Sequence, residues 1–147
     1  MLKFVVLVFS FLGALKSIHG APAAKSLAIS SIPLYVALQS QGILTISFDP
    51  SKDPSSSLEI LSVNTNTGFM PGWLTAHDDK VYSVSRTYFP NNNSIDGGVF
   101  SFQELQKPTS SGILDTLAPI NSVSSGGLGG VACDVSRDGK TIGVANM

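Results

Sequence analysis

The chain has 147 residues and a formal net charge of −1, and 43% of its residues are hydrophobic while only 13% are charged. This balance lacks the basic footprint of a nucleic-acid-binding protein, so we predict no nucleic-acid partner. The single cysteine, Cys133, excludes an internal disulfide, and no cluster of His, Cys and carboxylate residues has the spacing of metal ligands. We therefore predict neither a metal nor another cofactor.

The N-terminus has the three-part pattern of a secretory signal peptide. Lys3 supplies a positive charge, an apolar run of about 12 residues follows, and small residues come next at positions 20–24. This pattern predicts a signal peptide over residues 1–20, cleaved after Gly20 or Ala23, and a secreted protein that has no membrane contact after cleavage. A buried N-terminal helix or an uncleaved anchor is the alternative.

A glycosylation motif supports the same compartment. Asn92-Asn93-Ser94 is an N-linked acceptor sequence in an asparagine-rich stretch, with Asn92 as the acceptor. The motif is short and common, and it carries weight because a predicted signal peptide precedes it. We therefore predict a glycan on Asn92.

After the signal peptide, the chain alternates short apolar runs with turn-forming residues, which predicts β-strands. No later stretch has a sustained helical period, so the predicted fold class is all-β. Two strands are also predicted within 131–146, on either side of the turn signal Asp138-Gly139. The other predicted strands are 32–38, 43–48, 58–63, 73–77, 80–85, 98–103 and 113–118, and the predicted loops are 49–57, 65–72, 86–97, 107–112 and 121–130.

An internal repeat organises these strands. Residues 71–86 align with residues 129–146 when two residues are deleted at the turn, so that Tyr82 falls on Ile142. The unit is then roughly 58 residues with four short strands, which is typical of a propeller blade. A sandwich of short strands is the alternative, and it would not require the motif to recur.

The strand count amounts to about two blades, whereas a propeller closes with roughly four to eight. We therefore expect residues 32–147 to be the N-terminal part of a larger, truncated propeller, and we expect this piece alone to be inactive. The first unit lacks an inner strand equivalent to 73–77, which a missing C-terminal segment would supply. The sequence leaves the oligomeric state open.

Five motifs carry a family resemblance over residues 32–146. Gly-Ile-Leu-Thr-Ile-Ser-Phe-Asp (42–49), Pro-Gly-Trp-Leu (71–74), Lys-Val-Tyr-Ser-Val (80–84), Gly-Gly-Val-Phe-Ser-Phe (97–102) and Asp-Gly-Lys-Thr-Ile-Gly-Val-Ala-Asn (138–146) resemble the lactonase family of seven-bladed β-propellers. That family includes 6-phosphogluconolactonase-type enzymes and fungal 3-carboxy-cis,cis-muconate lactonizing enzymes. The resemblance implies hydrolysis or formation of lactones of small carboxylated or phosphorylated acids.

Two positions depart from the pattern of that family. Asp134 stands where many members have His, and Ser85-Arg86 stands where many have Asn-Glu. These departures favour an alternative, in which the protein is a non-catalytic extracellular or cell-wall glycoprotein that uses the propeller as a binding or adhesion surface.

Blade topology places second-strand ends on one rim, which in the family holds the substrate funnel. Arg86, Tyr88, Asn146 and the loop 121–130 are therefore predicted to face the site, whereas His77 lies at the opposite rim. Arg86 is a candidate to bind a carboxylate or phosphate through both guanidinium edges, or else forms a surface ion pair.

Asn146 and Asp134 complete the set of candidate catalytic residues. Asn146 is a candidate oxyanion donor, or else bonds the backbone at the strand end. Asp134 is a candidate general base if it is desolvated, or else satisfies backbone groups.

Overall fold

The computed structural model of the protein describes residues 7–9, 31–91, 93–105 and 116–147, with residues 7–9 described by their backbone alone. Every regular element in these ranges is a β-strand, which confirms the predicted all-β class. The strands are β1 (Leu7–Phe9), β2 (Ile32–Leu38), β3 (Gly42–Phe48), β4 (Leu58–Asn64), β5 (Phe69–His77), β6 (Lys80–Thr87), β7 (Asp96–Glu104), β8 (Leu117–Leu128), β9 (Ala132–Val135) and β10 (Ile142–Ala145).

The strands form three antiparallel sheets in which each strand pairs with its neighbour in sequence. The first sheet has the order β1-β2-β3-β4, the second has the order β5-β6-β7-β8, and the third consists of β9 and β10. Such up-and-down four-stranded sheets are the building unit of a propeller. The predicted partial propeller with about two four-stranded blades is therefore confirmed.

The sheets stack face to face because their strands alternate apolar side chains between two faces. One core lies between the first and second sheets, and a smaller core joins the second sheet to the third. The first core contains Tyr35, Ala37, Ile43, Leu74, Val81, Phe102 and Leu117, with Phe100 packed against it. The second contains Val84, Val99 and Cys133, with Tyr82, Ile142 and Val144 packed against it.

The pairing register corrects the alignment of the internal repeat. Thr75 pairs with Tyr82, and Val135 pairs with Ile142. Each residue of the second pair lies 60 positions after its counterpart in the first pair. The two hairpins therefore correspond without the two-residue deletion that the alignment placed at the turn. The first hairpin keeps pairing up to His77 and Lys80, whereas the second opens into a wider turn closed by the amide of Ser136 donating to the carbonyl of Thr141.

Three predicted loops are wrong in part, and one of them, 86–97, loses two residues at each end to β6 and β7. The predicted loop 121–130 is strand β8 as far as Leu128, because pairing with β7 satisfies its backbone in spite of its Ser and Gly content. The predicted turn 65–72 ends earlier, since β5 begins at Phe69 opposite Thr87. The predicted strand 113–118 is described only from residue 116 onward.

The first sheet has an inner strand, contrary to the expectation that this position is empty. β1 pairs antiparallel with β2, and Val8 lies opposite Tyr35. β1 belongs to the segment predicted as the signal peptide, and residues 1–6 and 10–30 lie outside the described residues. An apolar, extended segment occupies this position because the free edge of β2 offers it backbone hydrogen bonds.

Candidate functional site

Arg86 lies near the end of β6, beside an irregularity in the neighbouring strand. The register of β5 shifts between Pro71 and Trp73, so Gly72 is an extra residue at a bulge. A side-chain carbon added to Gly72 would lie 3.9 Å from Arg86 Nε and 4.0 Å from the carbonyl oxygen of Gly130. Arg86 Nε thus lies within ordinary van der Waals distance of the bulge, beside Gly130, which leads into the third sheet.

The Nε atom of Arg86 is buried and has no hydrogen-bond partner among the described residues. Within the same ranges, no ion pair joins Arg86 to a carboxylate, so the surface-ion-pair alternative is not what the structure shows. A buried guanidinium N–H without an acceptor is costly, because it gives up its hydration. A ligand cannot reach Nε here, but the Arg86 side chain as a whole is partly exposed, so an anionic oxygen would bind its terminal guanidinium nitrogens.

Asn146 approaches this position from the third sheet. Its Nδ2 donates to the carbonyl oxygen of Ser125 at 3.1 Å, and its side chain passes close to Gly127 and Gly130. One amide hydrogen of Asn146 is thus bonded to the backbone, as the alternative to an oxyanion donor predicts. The other amide hydrogen is available to a ligand. The structure therefore brings Arg86 and Asn146 to one rim, together with the end of β8.

Backbone hydrogen bonds fix the chain around Arg86 and Asn146 at this rim, one at the end of the second sheet and one between the second and third sheets. The amide of Gly129 donates to the carbonyl of Arg86 at 3.0 Å, and the amide of Met147 lies 3.1 Å from the carbonyl oxygen of Leu128. These bonds lie next to Arg86 and Asn146 in the chain. The relative position of the two side chains therefore rests on backbone pairing rather than on mobile side chains.

Asp134 lies elsewhere. It is exposed on β9, where its carboxylate accepts from the amide of Val135 at 2.9 Å and from Thr75 Oγ1 at 3.4 Å. Thr75 pairs with Tyr82, and Arg86 lies four positions beyond Tyr82 on β6, a distance of roughly 13 Å along an extended strand. The structure therefore does not bring Asp134 to Arg86 and Asn146, and it does not desolvate the carboxylate.

His77 and the hairpin turns form the opposite rim. His77 Nε2 lies 3.5 Å from Asp78 Oδ2 and close to Gly139 in the turn of the third sheet. In that turn, hydrogen bonds from the Ser136 hydroxyl and from the Lys140 amide hold the pKa of Asp138 below its usual range. The side chains at this rim therefore make contacts and hydrogen bonds within the hairpin turns.

Tyr88, predicted to face the site, follows the same end of β6 as Arg86 and contacts Phe69. The two ring centroids are 4.6 Å apart with the planes tilted by 58°, and both rings are exposed to solvent. Sequence reasoning missed this pair, because Phe69 was assigned to a turn and nothing local links residues 69 and 88.

Asn92, the predicted glycan acceptor, lies outside the described residues. Within the described ranges, no group of three or more His, Cys, Asp or Glu side chains is arranged to hold a metal ion. The same part of the chain contains no helix long and apolar enough to cross a membrane.

Comparison of the chain with models of known protein families, with characterised proteins and with solved structures gave no match. The lactonase resemblance therefore stays a prediction that rests on the motifs of the sequence.

Proposed function

We propose that this protein binds the anionic group of a small carboxylated or phosphorylated acid, and that it belongs to a lactonase-like propeller that hydrolyses or forms the lactone of that acid. The observation that supports the proposal is the partly exposed Arg86 side chain, which forms no ion pair among the described residues and lies at the rim that Asn146 also reaches. A planar guanidinium beside a neutral amide is suited to a carboxylate or phosphate oxygen.

In this proposal the two side chains have separate roles. Arg86 holds the charged group of the acid and fixes its orientation. The free amide hydrogen of Asn146 is available to the lactone carbonyl, where negative charge develops when water adds to it. The general base stays unassigned, because Asp134 is too distant and exposed.

A panel of carboxylated five- and six-membered lactones tests the proposal. Binding is measured by calorimetry and turnover by the acid released. We expect Arg86→Ala to weaken binding at least tenfold, and Arg86→Lys to restore only part of it, because an ammonium group lacks the planar fork. Arg137→Ala is the matched control, since Arg137 is exposed at the opposite rim. Equal binding by wild type and Arg86→Ala would contradict the proposal.

The second candidate function is a non-catalytic extracellular binding or adhesion protein. It is favoured by the separation of Asp134 from Arg86, since no carboxylate or imidazole among the described residues is hydrogen-bonded to Arg86 or Asn146. Binding of the acids without turnover of any lactone in the panel would support this candidate over the enzyme.

Secretion is part of both candidates. We expect the N-terminus of the exported protein to be Ala21 or Ala24, which N-terminal sequencing checks. This cleavage removes β1, so the inner edge of β2 is open in the exported form. We expect glycosidase treatment to lower the apparent mass of the wild type but not that of Asn92→Gln. An exported protein that still begins with residues 1–20 would contradict the predicted signal peptide.

A further inference from the structure

We propose that β1 is an autoinhibitory strand. In the uncleaved chain it closes the inner edge of β2, and its removal with the predicted signal peptide lets β2 pair with β2 of a second copy of the chain. The proposal rests on the predicted cleavage and not on the anion site at Arg86, so the two proposals can fail separately.

In the full chain, β2 is built as an interior strand. Its consecutive residues 34–37 are all buried, and consecutive residues point to opposite faces, so both faces of the strand are covered. Along one edge β2 pairs with β3 over its whole length, and along the other it pairs, among the described strands, with β1 alone. Buried backbone amides and carbonyls need hydrogen-bond partners, so the loss of β1 leaves this edge in need of another strand.

The two edges of the first sheet differ in their protection against such pairing. Exposed edge strands usually carry charges or irregularities that keep other chains away. The outer edge, β4, has both, because Glu59 is exposed and the register with β3 shifts. β2 has no charge, since no charged residue lies between Lys25 and Asp49, and its register with β3 is regular over the described residues. Its one proline, Pro33, is the second residue of the strand, so the rest of the edge can pair.

The geometry of β1 indicates what the opened edge accepts. β1 lies antiparallel to β2, with Val8 opposite Tyr35, so the edge takes a strand in that direction. A second β2 related by a two-fold axis runs antiparallel by symmetry, and the same surface then serves both copies. This strand is uncharged, as β1 is, and it offers 7 residues where β1 offers 3. The pair joins two copies of the first sheet into one sheet, with β2, β3 and β4 from each copy.

The test uses the full chain, purified without processing, in which residues 20–24 are replaced by the recognition sequence of a specific protease. Light scattering measures the mass before and after the cut. We expect the uncut chain to be a monomer. Once β1 has been cut off and has dissociated, we expect the mass to be roughly double that of the monomer.

Leu7→Cys/Val36→Cys is the matched control, because these residues lie directly opposite each other, at a Cα separation that permits a disulfide. The oxidised variant keeps β1 after the cut and should stay a monomer, and reduction should then double its mass. Leu7→Cys/Leu38→Cys is two positions out of register and should not cross-link. Cys133 is buried and does not compete for the new thiols.

Four results would overturn the proposal: a cut chain that stays monomeric or forms larger aggregates, a dimer that is already present in the uncut chain, a doubled mass in the oxidised variant, or failure of Leu7→Cys/Val36→Cys to cross-link. The last result would show that β1 does not pair with β2. Arg86→Ala should leave the mass of both forms unchanged, which separates this proposal from the one for the anion site.

Discussion

Thr116 donates from its Oγ1 to Oγ1 of Thr45 at 2.6 Å, across 71 residues of chain, and this bond links the first sheet to the second. Thr45 is fully buried on β3, and Thr116 immediately precedes β8. Ser62 extends the link, with its Oγ 3.2 Å from Thr116 Oγ1. Polar groups buried between two sheets are stabilising only while each has its partner, so this small network holds the sheets in one relative position.

We predict that Thr116→Val destabilises the fold by about 1–3 kcal/mol, because it leaves the buried hydroxyl of Thr45 without its donor. The double variant Thr45→Val/Thr116→Val should cost less than the sum of the single variants, since no partner is then left unpaired. Urea denaturation measures both effects, and the exposed Thr65→Val serves as the control. Additive single effects would show that the two hydroxyls are not coupled.

The turn between β2 and β3 requires glycine at position 42. Gly42 has φ of 111°, and a side-chain carbon there would collide with the carbonyl oxygen of Asn64 in β4. We predict that Gly42→Ala costs about 3 kcal/mol, from backbone strain and from displacement of β4. Thermal unfolding, followed by fluorescence of the single tryptophan Trp73, measures the loss.

Gly143→Ala is the matched control for that substitution. A side-chain carbon at Gly143 in β10 meets open space, so this variant should be neutral or slightly stabilising. If Gly42→Ala were as stable as Gly143→Ala, the tight packing of Gly42 against β4 would be refuted.

Cys133 is predicted to be unreactive in the folded protein. Burial, reinforced by the negative charge of Asp134, raises the pKa of the Cys133 thiol to about 12. The thiolate population at pH 8 is then roughly three orders of magnitude below that of a free cysteine. Alkylation by iodoacetamide, followed by mass spectrometry, should therefore be slow in the native state and fast in denaturant. Equal rates in the two states would contradict the buried position of Cys133.

Tyr35 makes the stability of the fold sensitive to alkaline pH. Burial chiefly, and then the hydrogen bond and the charge of Glu104, raise the pKa of the Tyr35 hydroxyl well above its usual range. Because the folded state keeps a proton that the unfolded chain releases above pH ~10, the stabilisation is complete below that pH and declines as pH rises further.

We predict a slope of about −1.4 kcal/mol per pH unit above pH ~10 from this one group. Urea denaturation at pH 9, 10 and 11 measures the slope, and Tyr35→Phe should reduce it by this amount. Tyr88→Phe, in which the ring is exposed, should leave it nearly unchanged. A slope that is the same in the wild type and Tyr35→Phe would show that Tyr35 ionises equally in both states.

The sequence by itself determined the all-β fold class and the approximate positions of most strands. The alternation over 43–48 predicted a strand there, because the side chains of a strand point to opposite faces with a period of two. Asp78-Asp79 and Asp138-Gly139 correctly located two hairpin turns, since turn-forming residues act over a few positions. The topological argument also assigned Arg86 and Asn146 to one rim.

Only the tertiary structure decided the features that depend on contacts distant in sequence. β8 is a strand because β7 pairs with it, although its Ser and Gly content predicts a loop. The bulge at Gly72, the separation of Asp134 from Arg86 and the contact between Phe69 and Tyr88 all follow from the register of paired strands and the packing of sheets. Local composition does not encode these distances, because a shift in register changes them without changing any local pattern.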